Sequence, residues 1–180
     1  MKIIALSGFL MAFILVGCAN QSVKPETLVI KEVVYAAHAA IPEAIRAECD
    51  LPNKLSTFIK TDAQNQYSRI INDPATANNQ DTILNIEITH VEGLDGGAWT
   101  GPKSVAIKAT LIKQGKVIGD FKASRISNSS SLVGGILTLG VSGIAAGLEG
   151  TCGVLRHCIR TLSRDVTKWL ESPTPNAVLK

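Results

Sequence analysis

The chain has 180 residues, which is enough for one domain with a hydrophobic core and too few for two domains of usual size. Its formal net charge is only +3, so charge gives no footprint for a nucleic acid. Two Trp, two Tyr and four Phe are also too few for a surface of stacked aromatic rings that binds single strands. We therefore expect no nucleic-acid partner.

The first residues, "MKIIALSGFLMAFILVGC", have the pattern of an export signal. Lys2 precedes an apolar run from Ile3 to Val16. A helix of that length, rising ~1.5 Å per residue, is too short to cross a hydrocarbon core of ~30 Å. The pattern is instead typical of the apolar part of a signal peptide. An ordinary secretory signal with a chance cysteine is the alternative.

The end of this run, Leu15-Val16-Gly17-Cys18, resembles the lipobox of bacterial lipoproteins. In that family the cysteine thiol receives a diacylglyceryl group, the peptide is cut before the cysteine, and the new amine is acylated. The resemblance implies a signal peptide at residues 1–17 and a membrane anchor at Cys18. Asp after the lipidated cysteine retains enterobacterial lipoproteins in the inner membrane, so Ala19 favours the outer membrane, with the domain facing the periplasm.

The elements that follow predict one α+β domain over residues 27–172. Residues 18–26 are polar and predict a tether, and β-branched residues over Thr27–Tyr35 predict a first strand. Pro42 opens a helical segment that breaks at Pro52, and apolar spacing predicts a further helix from about Leu55.

Three alternating segments come next. Leu84, Ile86 and Ile88 share one face of the first. The second, "SVAIKATLIK", places its apolar residues Val105, Ile107, Ala109 and Leu111 on one face in the same way. A tight turn at "QGK" leads into the third, "VIGDFKASRIS". They predict an antiparallel meander.

The last element is a helix. Its apolar stripe consists of Leu155, Ile159, Leu162, Val166, Trp169 and Leu170, and Pro173 follows its end. The predicted order is β-α-β-β-β-α: an antiparallel sheet, made of the meander and the N-terminal strand, with helices on one face. Residues 173–180 are expected to form a C-terminal tail.

Three cysteines remain once Cys18 carries lipid, so at most one pair can form within the chain. On a continuous helix Cys152 and Cys158 would lie ~9 Å apart on different faces, beyond disulfide reach. We expect a bridge from Cys49 to Cys158, narrowly favoured over Cys49 to Cys152. A metal site made of Cys152, His157 and Cys158 does not fit zinc-ligand spacing, so we expect no metal and no other cofactor. No catalytic motif is present, and we expect no enzymatic activity.

A glycine-rich segment, residues 132–150, interrupts the domain before the last helix. Leu132–Leu148 carries no charge and includes five glycines. Its length is at the bottom of the range for a membrane span, and its glycines lower its helical propensity. Gly143 and Gly147 form a small-xxx-small pattern, which is typical of close helix packing. We expect this segment, with Gly135, to contact a membrane or a partner; a loop folded over the domain is the alternative.

Trp99 lies in the glycine-rich loop of the meander, where it either packs on the sheet or contacts a partner. The stretch that contains it, "GAWTGPKSVAIKATLIKQGKVIGDFKASRIS", and the later "TCGVLRHCIRTLSRDVTKWL" resemble a group of uncharacterised Gram-negative lipoproteins with a small α+β domain. The resemblance covers about Thr82–Leu170 and implies no catalytic residues.

Together these features predict a lipoprotein that binds an envelope protein or serves as an accessory subunit of an assembly, transport or secretion system. The alternative is a lipoprotein that inserts its glycine-rich segment into the bilayer and forms a homo-oligomer.

Overall fold

The computed structural model describes residues 27–72, 78, 81–93, 102–127 and 150–179. The strands are β1 (Thr27–Ile30), β2 (Val34–Tyr35), β3 (Arg69–Ile71), β4 (Thr82–Glu92), β5 (Lys103–Lys113), β6 (Lys116–Ser127) and β7 (Ala177–Leu179). The helices are α1 (Glu43–Glu48), α2 (Leu51–Asp62) and α3 (Gly150–Glu171), and a short 3-10 helix at Ala63–Asn65 follows α2.

The strands form one mixed sheet in the order β3-β1-β4-β5-β6-β7, with β2 also beside β4. The predicted antiparallel meander is confirmed as β4-β5-β6. The prediction that the whole sheet is antiparallel is wrong, because β1 runs parallel to β3 and β4, and β7 runs parallel to β6. The reason is the connections: α1 and α2 carry the chain back before β3, and α3 does so before β7, so the next strand starts at the same end as the earlier one.

The meander residues predicted to face the core are buried. Leu84, Ile86 and Ile88 of β4 are at most 1% exposed. They lie opposite Leu111, Ala109 and Ile107 of β5, in a register that places one apolar surface across both strands. The turn between β5 and β6 has positive φ at Gln114 (51°) and Gly115 (73°), which is the backbone of a tight hairpin turn.

The helices cover this apolar surface. All six residues of the predicted α3 stripe are buried in the same core as the strands. α2 begins at Leu51, four residues earlier than predicted, because Pro52 lies in its first turn, where a missing N–H costs no hydrogen bond. The segment predicted as a tail contributes β7 after a turn at Pro175–Asn176. In the part of the chain that the structure describes, no helix combines the length and the apolar character needed to cross a bilayer.

Candidate functional site

A disulfide joins Cys49, at the end of α1, to Cys152 in the first turn of α3, with the two Cα atoms 5.0 Å apart. The pairing favoured from the sequence, Cys49–Cys158, is therefore wrong, and the second pairing is the one present. Cys158 lies six residues further along the helix, ~9 Å away and on the face that packs into the core. The bridge fastens the first helical segment to the start of the last helix.

The third described cysteine, Cys158, is poorly suited to nucleophilic chemistry. Burial raises the pKa of its thiol from the ordinary value of 9.0 to about 11, so it stays protonated at neutral pH. The neighbouring His157 is exposed and points away from it. Since Cys152 is in the disulfide, the three residues do not converge on a common point. No group of three metal-ligating side chains occurs among the described residues.

The polar groups between α2 and α3 hold the helices together. Asp62 of α2 accepts a hydrogen bond from the Ser163 hydroxyl and pairs with Arg160, whose guanidinium nitrogen lies 3.1 Å away. Ser163 is fully buried, so no substrate can reach its hydroxyl. At the other side of α3, Asp165 pairs with Arg125 of β6 at 2.8 Å. These contacts position α2 and α3 in the fold and do not indicate a catalytic site.

The face of the sheet opposite the helices carries a row of charged residues. Glu87 of β4 lies beside Lys108 of β5, which lies beside Lys122 of β6. All three are exposed. Val34 of β2 continues the row next to Glu87, and Val178 of β7 continues it next to Lys122. We call this row and the residues that line its groove the open face.

The groove of the open face has a volume of about 460 Å³. Besides the three charged residues it is lined by small or apolar residues and by a histidine: His38, Thr89, Ala106, Ser124, Val178 and Leu179. Thr89 enters the lining because a bulge between Ile88 and His90 gives β4 one extra residue there. The exposed apolar residues at its borders are Val34 (42%), Ile126 (63%) and Val178 (62%).

Electrostatics on the open face favour an acidic ligand. Lys108 and Lys122 lie directly opposite each other on adjacent strands, an arrangement that is unfavourable in isolation. Two carboxylates share this face: Glu87 lies beside Lys108, and Asp120, which is half-buried, lies two residues before Lys122 on the same side of β6. An acidic group placed between the two lysines would therefore remove repulsion and gain two partners.

Several residues predicted to be functional lie outside the described residues: Cys18, Trp99, Gly135, Gly143 and Gly147. The predicted site residues that the structure does describe, Cys49, Cys152 and Cys158, lie among the helices and not on the open face. The charged row was missed because it depends on the register between strands; the alternation of the sequence identifies each residue as solvent-facing but not as a neighbour of the others.

These features define the described part of the chain as a small α+β domain with a mixed sheet, helices on one face and a second face that no described helix covers. No family model matches the chain, and no curated protein matches it in sequence. The comparison with solved structures does find similar chains.

The chain is similar to an uncharacterised protein with a TM-score of 0.51 and 12% identity, covering 82% of this chain and 93% of that one. It is also similar to a minor lipoprotein from Acinetobacter baumannii (TM-score 0.42, 15% identity, 83% of this chain and 92% of that one). A third similar structure is the PelC dodecamer from Paraburkholderia phytofirmans (TM-score 0.44, 15% identity, 79% of this chain and 86% of that one). At 12% identity, the first likeness shows that the fold also occurs in another protein.

Proposed function

We propose that this chain is a lipid-anchored, non-enzymatic protein of the bacterial envelope that binds an acidic protein segment on the open face of its sheet. The observation that carries the binding role is the exposed lysine pair, Lys108 and Lys122, set in a groove between exposed valines. The lysines would orient an acidic segment, and the apolar residues beside them would add buried area to the contact.

The anchor follows from the lipobox. A diacylglyceryl group and an amide-linked chain on Cys18 would hold the protein stably, because each buried CH₂ contributes ~0.8 kcal/mol and one chain alone binds only marginally. We place the protein at the outer membrane, facing the periplasm, on the basis of Ala19. The anchor is tested by metabolic labelling with a palmitate analogue: the wild type should incorporate label and Cys18→Ala should not. Label retained in Cys18→Ala would contradict it.

The binding role is tested by photo-crosslinking in intact cells. A photoreactive amino acid at Ser124, which lines the groove, should capture a defined protein, whereas the same group at Thr161, exposed on the outer side of α3, should not. A second copy of the chain is one partner that this experiment would identify. Capture of the same proteins from both positions, or of none from Ser124, would contradict the proposal.

Charge reversal tests the lysine pair itself. Lys108→Glu with Lys122→Glu should reduce recovery of the captured protein by roughly tenfold, because two favourable contacts become repulsive. Lys60→Glu, at an exposed position of α2, changes the same kind of charge away from the groove and should leave recovery unchanged.

A further inference from the structure

The start of β1 lies at the same end of the sheet as the turn between β5 and β6. Leu28 of β1 pairs with Thr82 at the start of β4, and Thr82 pairs with Lys113 at the end of β5. Lys113 in turn pairs with Lys116 across the turn. Arg69, the first residue of β3, lies beside Thr27. The chain therefore enters the domain at this end.

This end presents basic and apolar side chains together. Arg69, Lys113 and Lys116 are exposed, and so are Val117 (62%) and Ile118 (39%). We call these five residues the basic tip. The nearby Asp81 is only 6% exposed and accepts the Asn78 backbone N–H at 2.7 Å, so it is directed inward. The described acid closest to the tip on β6 is Asp120, which lies opposite Thr110.

The distance to the anchor is limited by the covalent chain. Residues 18–26 separate Cys18 from the rest of the domain, and nine residues reach at most about 32 Å when fully extended. The opposite end of the sheet is a further ~34 Å away, because the 11 residues of β4 span ten steps of ~3.4 Å. The basic tip therefore lies at the end of the described domain where the tether attaches, and it is always within the tether's reach of the bilayer.

We propose that the basic tip lies against anionic lipid headgroups of the leaflet that holds the acyl chains of Cys18. This inference rests on the proposed lipid anchor. Each lysine near an anionic surface raises the ratio of docked to undocked domain about fivefold. The exposed Val117 and Ile118 can enter the headgroup region beside the lysines. With the tip on the membrane, the strands stand away from it, and the groove of the open face is accessible from the side.

The test uses the full lipidated chain, purified from membranes and placed in vesicles of phosphatidylcholine with or without phosphatidylglycerol. An environment-sensitive fluorophore is attached at Val117→Cys, or at Ala44→Cys as the control. Ala44 is exposed in α1, at the opposite end, since Ile45 packs beside Gly93 at the end of β4. Cys158 does not compete for the label, because it is buried and protonated at neutral pH.

We expect a headgroup-attached quencher to quench the label at Val117→Cys in anionic vesicles and to leave the label at Ala44→Cys unaffected. Lys116→Gln should reduce the ratio of docked to undocked domain about fivefold, whereas Lys31→Gln, which removes the same charge just after β1 and about 10 Å further from the tip, should have a smaller effect. High salt should act like Lys116→Gln, since it shortens the Debye length to ~3 Å at 1 M.

Equal quenching at both positions, or quenching only at Ala44→Cys, would overturn the proposal. So would a label at Val117→Cys that stays in water on vesicles but crosslinks to a protein in cells, which would assign the tip to a protein partner. Failure of the anchor is a separate result: the purified chain would then lack the mass of its lipid and would not sediment with vesicles.

Discussion

Removal of the disulfide is the perturbation whose cost the structure allows us to calculate. Cys49 and Cys152 are separated by 103 residues, so the bond closes a long loop in the unfolded chain. The chain-entropy relation gives about 4.7 kcal/mol for a loop of that size, and measured costs of removing a native bridge are ~2–5 kcal/mol. Small domains are stable by only ~5–15 kcal/mol, so Cys49→Ala with Cys152→Ala should remove a large part of the free energy of unfolding.

The expected shifts are large enough for routine assays. At about 2–4 °C per kcal/mol, a loss of ~4 kcal/mol lowers Tm by roughly 8–16 °C. Urea unfolding followed by circular dichroism should give a lower midpoint. It should also give a steeper slope, because the unfolded chain without the bridge exposes more surface. Trp169, which is 7% exposed and stacked on Phe121, supplies a second probe by fluorescence.

The single variants decide which pairing exists. If Cys49 is bonded to Cys152, then Cys49→Ala, Cys152→Ala and the double variant should all lose a similar amount of stability, since any of them opens the loop. Cys158→Ala removes one buried sulfur and should cost only ~1 kcal/mol. A cost for Cys158→Ala equal to that of Cys49→Ala, with Cys152→Ala near zero, would refute the pairing and the placement of α3.

Three further predictions concern residues in and around α3. Gly119→Ala should lower the free energy of unfolding in urea by ~1–3 kcal/mol, because the added Cβ would lie 2.8 Å from a ring carbon of Trp169. In a Trp169→Phe background, Gly119→Ala should cost less than it does in the wild type, and equal costs in the two backgrounds would contradict the contact. Asp165→Asn should cost ~1–2 kcal/mol by leaving Arg125, which is 26% exposed, with a weaker partner; a change within about 0.5 kcal/mol would contradict this. The Cys158 thiol should react with maleimide at pH 8 only after unfolding. Its pKa of about 11 also means that the folded chain keeps a proton that the unfolded chain releases above pH 9, so stability should fall from pH 9 to 11, and less so in Cys158→Ala; a pH dependence unchanged by Cys158→Ala would contradict it.

The elements of this domain were predictable where the local pattern decides them. The buried faces of β4 and β5 follow from strict alternation, and the α3 stripe follows from helical spacing. The turn at Gln114–Gly115 follows from the residues that tolerate positive φ. Each of these features depends on neighbours within a few residues, which is why a single sequence contains them.

The direction of β1 and β7, the partner of Cys49 and the open face depend on contacts distant in sequence. Whether β1 is parallel to β3 depends on how α1 and α2 return the chain, and whether Cys152 or Cys158 meets Cys49 depends on the rotation of α3 against α1. Alternation identifies Glu87, Lys108 and Lys122 as solvent-facing, but only the strand register brings them into one row. The sequence by itself determined the meander, the last helix and their buried faces, because periodicity is local. The tertiary structure alone decided the bridge, the groove and the basic tip, because each joins residues that only packing brings together.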